Sequence, residues 1–234
     1  MAQNRPPGMD CTYESLRQSP DVLEKVEDRL LAEQGGICAY TGHRISIQPA
    51  IAGAGGERQV EFHIEHLIPQ AHCAYGQDAD YANIVACWPR PNCRFEPEYG
   101  ARKKGDWPAP EEAASFVSPL RADCNERFRF NHRGEIEAAN HDDQAVELTI
   151  ERLGLKHKTL TSLRQQAIRG ALAPNDRRIK LTTAKKLLSE MRESVEAVDG
   201  GAPVKLRAFC FAIEPALRRE ISKLEGIMKV HGRK

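Results

Sequence analysis

The sequence predicts a mostly α-helical protein that carries a small α+β core, and three observations predict it. Apolar residues recur at helical spacing in one N-terminal and several C-terminal segments. Between them, Val60, Phe62 and Ile64 alternate with polar neighbours, the pattern of a half-buried strand. Glycine and proline fall between these stretches and punctuate them.

In chain order, residues 1–36 form an N-terminal helical segment. Its helix runs from Pro20 to Gln34, with Ser19 as candidate cap and Pro20 at the first position, where a missing N–H goes unneeded. Val22, Leu23, Val26, Leu30 and Leu31 make its stripe, and Gly35-Gly36 stops it. Residues 37–107 form a strand-loop-helix core interrupted by Ala52-Gly53-Ala54-Gly55-Gly56, a flexible hairpin connection. Residues 108–234 open on a Pro- and Ala-rich stretch, include a short hairpin between Phe128 and Ile136 near Gly134, and continue as helices. Val146, Ile150 and Leu153 mark one helix; Leu160, Leu163, Ala167 and Ala171 mark the next, which ends at Pro174. Lys180 to Val198 makes a third, broken by Gly200-Gly201 and Pro203. Val204 to Lys229 makes the last, started or kinked by Pro215. The first two stripes either face the protein's own core, as most do, or dock a partner; docking is the expectation, because this region carries no recognisable chemistry.

Composition bounds the possibilities. The chain has 234 residues, 41% hydrophobic and 29% charged, enough to bury a sizeable core. No apolar run approaches the roughly 20 residues that span a bilayer, and Met1 to Pro7 lacks the apolar core of a signal peptide. Seven cysteines without a regular framework fit reduced thiols, so a soluble, cytoplasmic protein is expected. A net charge of +1 does not by itself indicate nucleic acid. Positive charge is local instead, at Lys103-Lys104, Arg177-Arg178 with Lys180, Lys185-Lys186 and the Arg233-Lys234 end.

The chemistry concentrates in the run from Phe62 to Gln70 and in Tyr81 to Cys87. Glu65 stands beside His66, and Asn83 follows in a second apolar run. Hydrolysis of a phosphodiester needs a water deprotonated near neutral pH and a cation to neutralise charge on the phosphate and leaving oxygen. An imidazole, with an unperturbed pKa of about 6.5, is the natural base, and a carboxylate is the natural cation ligand. Pro69 ends the strand soon after the pair, which places Glu65 and His66 where strand becomes loop. His63 shares a strand face with Glu65 and is expected to pack or to support a ligand, and His72 is expected to be solvated.

This order of elements resembles the HNH endonucleases. The resemblance extends over most of the chain: Ile37 to Gly42, Gly100 to Trp107, Phe116 to Leu120, Cys124 to Ile136, and Glu151 to Leu155 with Arg164 and Ala167-Ile168 are similar to the PtuB type, the nuclease subunits of Septu and some retron antiphage systems. The resemblance implies a ββα-metal nuclease core of two strands and a helix around one divalent cation, Mg2+ or Mn2+. It implies that Glu65 binds the cation, His66 activates water and Asn83 holds the loop. It also implies a DNA substrate and a PtuA-like ATPase partner. Lys103 and Lys104 are either a solvated face or, beside a phosphate-cutting site, contacts to backbone phosphates, and the second is expected. No Gly-rich phosphate loop occurs here, so any ATP use belongs to that partner.

Two departures stand out. Many HNH proteins hold a structural zinc with two Cys-x-x-Cys pairs, whereas Thr41 stands where the partner of Cys38 would be, and Cys87 and Cys93 are six apart. A structural zinc is therefore not expected, although His43 offers an irregular fourth ligand. The last cation ligand is also open: counting from Asn83 gives Asn92, while counting from Lys104 gives Ala101, which cannot coordinate. The rival reading is a non-catalytic scaffold or nucleic-acid-binding subunit with an HNH-like core.

Overall fold

The computed structural model describes residues 12–48, 58–94 and 96–231. The Gly-rich connection 52–56, the first residues and the basic C-terminal end lie outside the described residues. Among the described residues, eight α-helices and six strands follow in order: α1 Tyr13–Arg17, α2 Pro20–Glu33, β1 Ile47–Gln48, β2 Gln59–Val60, β3 His63–His66, β4 Ile84–Cys87, α3 Ala101–Lys104, α4 Cys124–Arg127, β5 Phe128–Phe130, β6 Ile136–Ala138, α5 Gln144–Arg152, α6 Lys158–Leu172, α7 Leu181–Asp199 and α8 Cys210–His231. The described residues are thus mostly helical with small antiparallel sheets, and no helix among them is long and apolar enough to cross a membrane.

The strands pair in three two-stranded sheets, β1 with β2, β3 with β4 and β5 with β6. Across β3 and β4, His63 faces Cys87, Glu65 faces Val85 and His66 faces Ile84. All four residues of β4 are buried, so its outer backbone needs partners other than water. Gln34, just past the end of α2, supplies one: its side chain accepts from Ala86 N at 2.7 Å and donates to Ala86 O at 2.9 Å. The Ala39 amide adds a 3.2 Å bond to the same carbonyl.

The helix boundaries follow local chemistry. Pro20 opens α2 as expected, although the Ser19 hydroxyl makes no capping bond. Gly134 turns the β5–β6 hairpin with φ 78°, a conformation that costs glycine little, and its missing side chain lets α6 pass close by. Pro215 lies inside α8, which already begins at Cys210, so the proline does not start that helix.

Buried residues from all three sequence segments join one cluster, from Leu30 on α2 through Ile84 and Val85 on β4 to Leu217 and Ile221 on α8. This corrects the docking expectation. Val146, Ile150, Leu153 and Leu160 are at most 2% exposed, and Leu163 and Ala167 pack against the same cluster. A surface already covered by its own chain cannot be the one a partner covers.

Candidate functional site

β3 ends at His66, and the chain then runs through a loop of 3-10 turns before re-entering the sheet as β4. Asn83, immediately before β4, fixes that loop. Its Oδ1 accepts from Ile68 N at 2.8 Å, while its Nδ2 donates to Ile68 O and Gln77 O, each at 3.2 Å, and to Cys73 Sγ at 3.4 Å. The side chain is 5% exposed and makes its bonds inside the protein, which spares the loop the cost of buried unpaired amides.

The loop in turn orients His66. Its Nε2 lies 2.9 Å from the Asp78 carbonyl oxygen, an acceptor, so in neutral imidazole Nε2 carries the proton and Nδ1 keeps the lone pair. Burial pushes the His66 pKa down, against the opposing effect of Asp78, so the neutral form is present at neutral pH. Tyr13 on α1 stands edge-on to the imidazole, with ring centroids 4.7 Å apart. The Asp78 carboxylate accepts the Tyr13 amide at 2.9 Å, so one residue positions both the histidine and the helix beside it. Neither Tyr13 nor Asp78 stands out in the sequence; each takes its place through long-range contacts that no local pattern encodes.

Glu65 divides its two oxygens. Oε1 meets Lys104 Nζ at 2.9 Å, and Oε2 lies 3.9 Å from His63 Nε2. Burial pushes the Glu65 carboxyl up, against the pull of the Lys104 ammonium. Lys104 also donates to the His66 carbonyl oxygen at 2.8 Å. This corrects the expectation that Lys104 touches phosphate: at 4% exposure, from the far end of α3, its ammonium is spent on fixing the Glu65-His66 corner. Lys103 is exposed. Asn92 is exposed on a turn with φ 55°, outside any helix, so it does not occupy the helical ligand position that counting gave it. Ala101 does lie on α3 and has no donor.

The cysteine corner is built without a regular ligand set. Cys38 and Cys87 are both buried and share a thiol hydrogen bond. Burial opposes ionisation of Cys38, but the Cys87 thiol and the Thr41 hydroxyl hold its pKa down, while burial and the neighbouring sulfur push Cys87 up. Thr41 stands where a second thiolate would be and also bonds His43 Nδ1 at 2.9 Å. Cys93 is half-buried on the turn beyond β4. Among the described residues, no three His, Cys, Asp or Glu side chains are grouped to hold a metal ion.

Compared with models of known protein families and with curated proteins, the chain matches none. A hard divalent cation that keeps most of its waters needs only one or two protein oxygens, with substrate phosphate completing the shell. Glu65 Oε2, turned away from Lys104, suits that role. Within the basic clusters, Arg178 pairs with Glu220 and Lys185 with Glu225, each at 2.6 Å, so part of their charge is met within the chain.

Proposed function

We propose that the protein is a metal-dependent endonuclease of the HNH kind, hydrolysing DNA phosphodiester bonds at the end of β3. The observation that carries this reading is the orientation of His66, whose Nε2 is committed to the Asp78 carbonyl and whose Nδ1 is left as a proton acceptor. In this reading Nδ1 takes the proton from the attacking water. Asn83 keeps the loop, and with it the Asp78 carbonyl, at the distance that maintains this tautomer. Glu65 holds the cation through Oε2, and Lys104 keeps the carboxylate from swinging away. When bound, the cation neutralises charge developing on the phosphate and the leaving oxygen. Action beside an ATPase subunit in antiphage defence belongs to the same proposal and rests on the resemblance to PtuB-type subunits.

A second reading has a specific observation in its favour. The Lys104 ammonium neutralises Glu65 without any metal, as in a scaffold that has traded its cation for an internal ion pair. A plasmid-nicking assay with Mg2+ or Mn2+, alone and with the ATPase, separates the two. Cutting that chelator abolishes, and that falls by about 10²–10⁴ in His66→Ala, is the expected result. Equal cutting by wild type and His66→Ala would overturn the assignment of the base, and a fully inert wild type supports the scaffold.

A further inference from the structure

The pair His63 and Glu65 leaves a gap that the rest of the site does not explain. His63 Nδ1 lies 2.5 Å from the Pro89 carbonyl oxygen, so in the neutral ring Nδ1 is the donor and Nε2 is bare. Bare Nε2 then faces Glu65 Oε2 across 3.9 Å, with side chains only 20% and 16% exposed. Two acceptors turned toward each other repel unless something positive or proton-bearing lies between them. Lys104 is already committed elsewhere, to Oε1 and to the His66 carbonyl. The spacing is too long for a direct hydrogen bond; adjacent donors on one octahedral cation stand about 3 Å apart, so the two side chains would close by somewhat under about 1 Å to share one.

We propose that His63 is a metal ligand, and that His63 Nε2 and Glu65 Oε2 together bind a divalent cation on the solvent-facing side of the Glu65–Lys104 pair. This deepens the nuclease reading of the same site, and it assigns to the strand the second donor that Ala101 cannot supply from α3. The two residues are i and i+2 on β3 and so share a face, while the Pro89 carbonyl, just beyond β4, fixes the ring as the supporting partner of a metal-bound histidine does. Mg2+ is bound through oxygen, whereas Mn2+ accepts an imidazole nitrogen more readily, so of the two cations Mn2+ is favoured.

The test is Mn2+ binding to the full chain, followed by electron paramagnetic resonance, with pulsed detection of imidazole nitrogen coupled to the metal. Wild type and His66→Ala are expected to bind Mn2+ with a nitrogen coupling, and Mg2+ to compete poorly. His63→Gln is expected to lose that coupling and weaken binding at least about tenfold, the scale on which even supporting partners of metal ligands act. Glu65→Gln is expected to abolish binding. Wild-type Mn2+ bound with no nitrogen coupling overturns the proposal whatever the variants do, and so does a coupling that survives in folded His63→Gln. If Mn2+ binds through His63 but no DNA is cut, this inference stands and the nuclease reading fails. If cutting is metal-dependent while His63→Gln binds Mn2+ normally, the reverse holds.

Discussion

At the scale of single residues, burial decides what each titratable side chain can do. His43 makes the point outside the proposed centre. It is stacked face to face with Trp88 at 4.4 Å and 7°, and burial, helped by the Arg164 charge, pushes its pKa down to about 4. An unfolded histidine titrates at about 6.5, so the stability contributed by keeping this ring neutral is complete above that pH. It is lost as pH falls through the window from there to about 4. Chemical denaturation midpoints should therefore drop over that window in the wild type, and the drop should be shallower in His43→Phe, which keeps the stacking and cannot ionise. An equal slope in both proteins would show that other groups carry the acid sensitivity.

At the scale of elements, short strands and helices are held by side chains that bond across them. Asp143 is the example that can be weighed. It caps α5 by accepting from Val146 N at 3.2 Å, and it takes two bonds from Arg127, at 2.9 and 2.6 Å, tying the helix to the start of the β5–β6 hairpin. An N-cap replaced by alanine costs about 0.5–2 kcal/mol, and a partly exposed ion pair adds little beyond that. Asp143→Ala should lower the urea unfolding free energy by about 1–2 kcal/mol, while Asp143→Asn, which can still cap, should lose less. Thr149 works similarly from within α5: buried at 1% exposure, it accepts from Val117 N at 2.9 Å and donates to Ser115 O at 3.3 Å.

At the scale of the whole molecule, the helical region and the candidate site share one interior. Gly100 N bonds Leu153 O at 2.7 Å, joining the start of α3 to the end of α5, and Arg219 of α8 donates to Phe130 O at 2.9 Å. Gly42, with φ 73°, is packed so closely by Phe211 of α8 that a methyl group there would overlap the ring. Leu160→Asp with Leu163→Asp should therefore unfold the protein, seen as loss of helical circular dichroism and aggregation, because a carboxylate at the Leu160 position would be buried without a partner. A folded double variant that merely loses a binding partner would restore the docking role for α6.

The sequence by itself determined the longer helices, α2 and α5 to α8, because their apolar stripes and the Gly and Pro residues between them act within a few turns of chain; the short α1 and α4 carry no stripe and were not marked by it. It also marked Glu65, His66 and Asn83, whose residue types and spacing are local properties. Only the tertiary structure decided their surroundings. Lys104 reads as a surface cation in the sequence, yet it is buried against Glu65, because α3 is brought back onto the end of β3 by contacts with residues some fifty positions further along. The lone pair on His66 Nδ1 depends on a carbonyl at position 78, and the bare His63 Nε2 on one at position 89. Backbone carbonyls are the same for every residue type, so no pattern of side chains announces which of them will meet an imidazole.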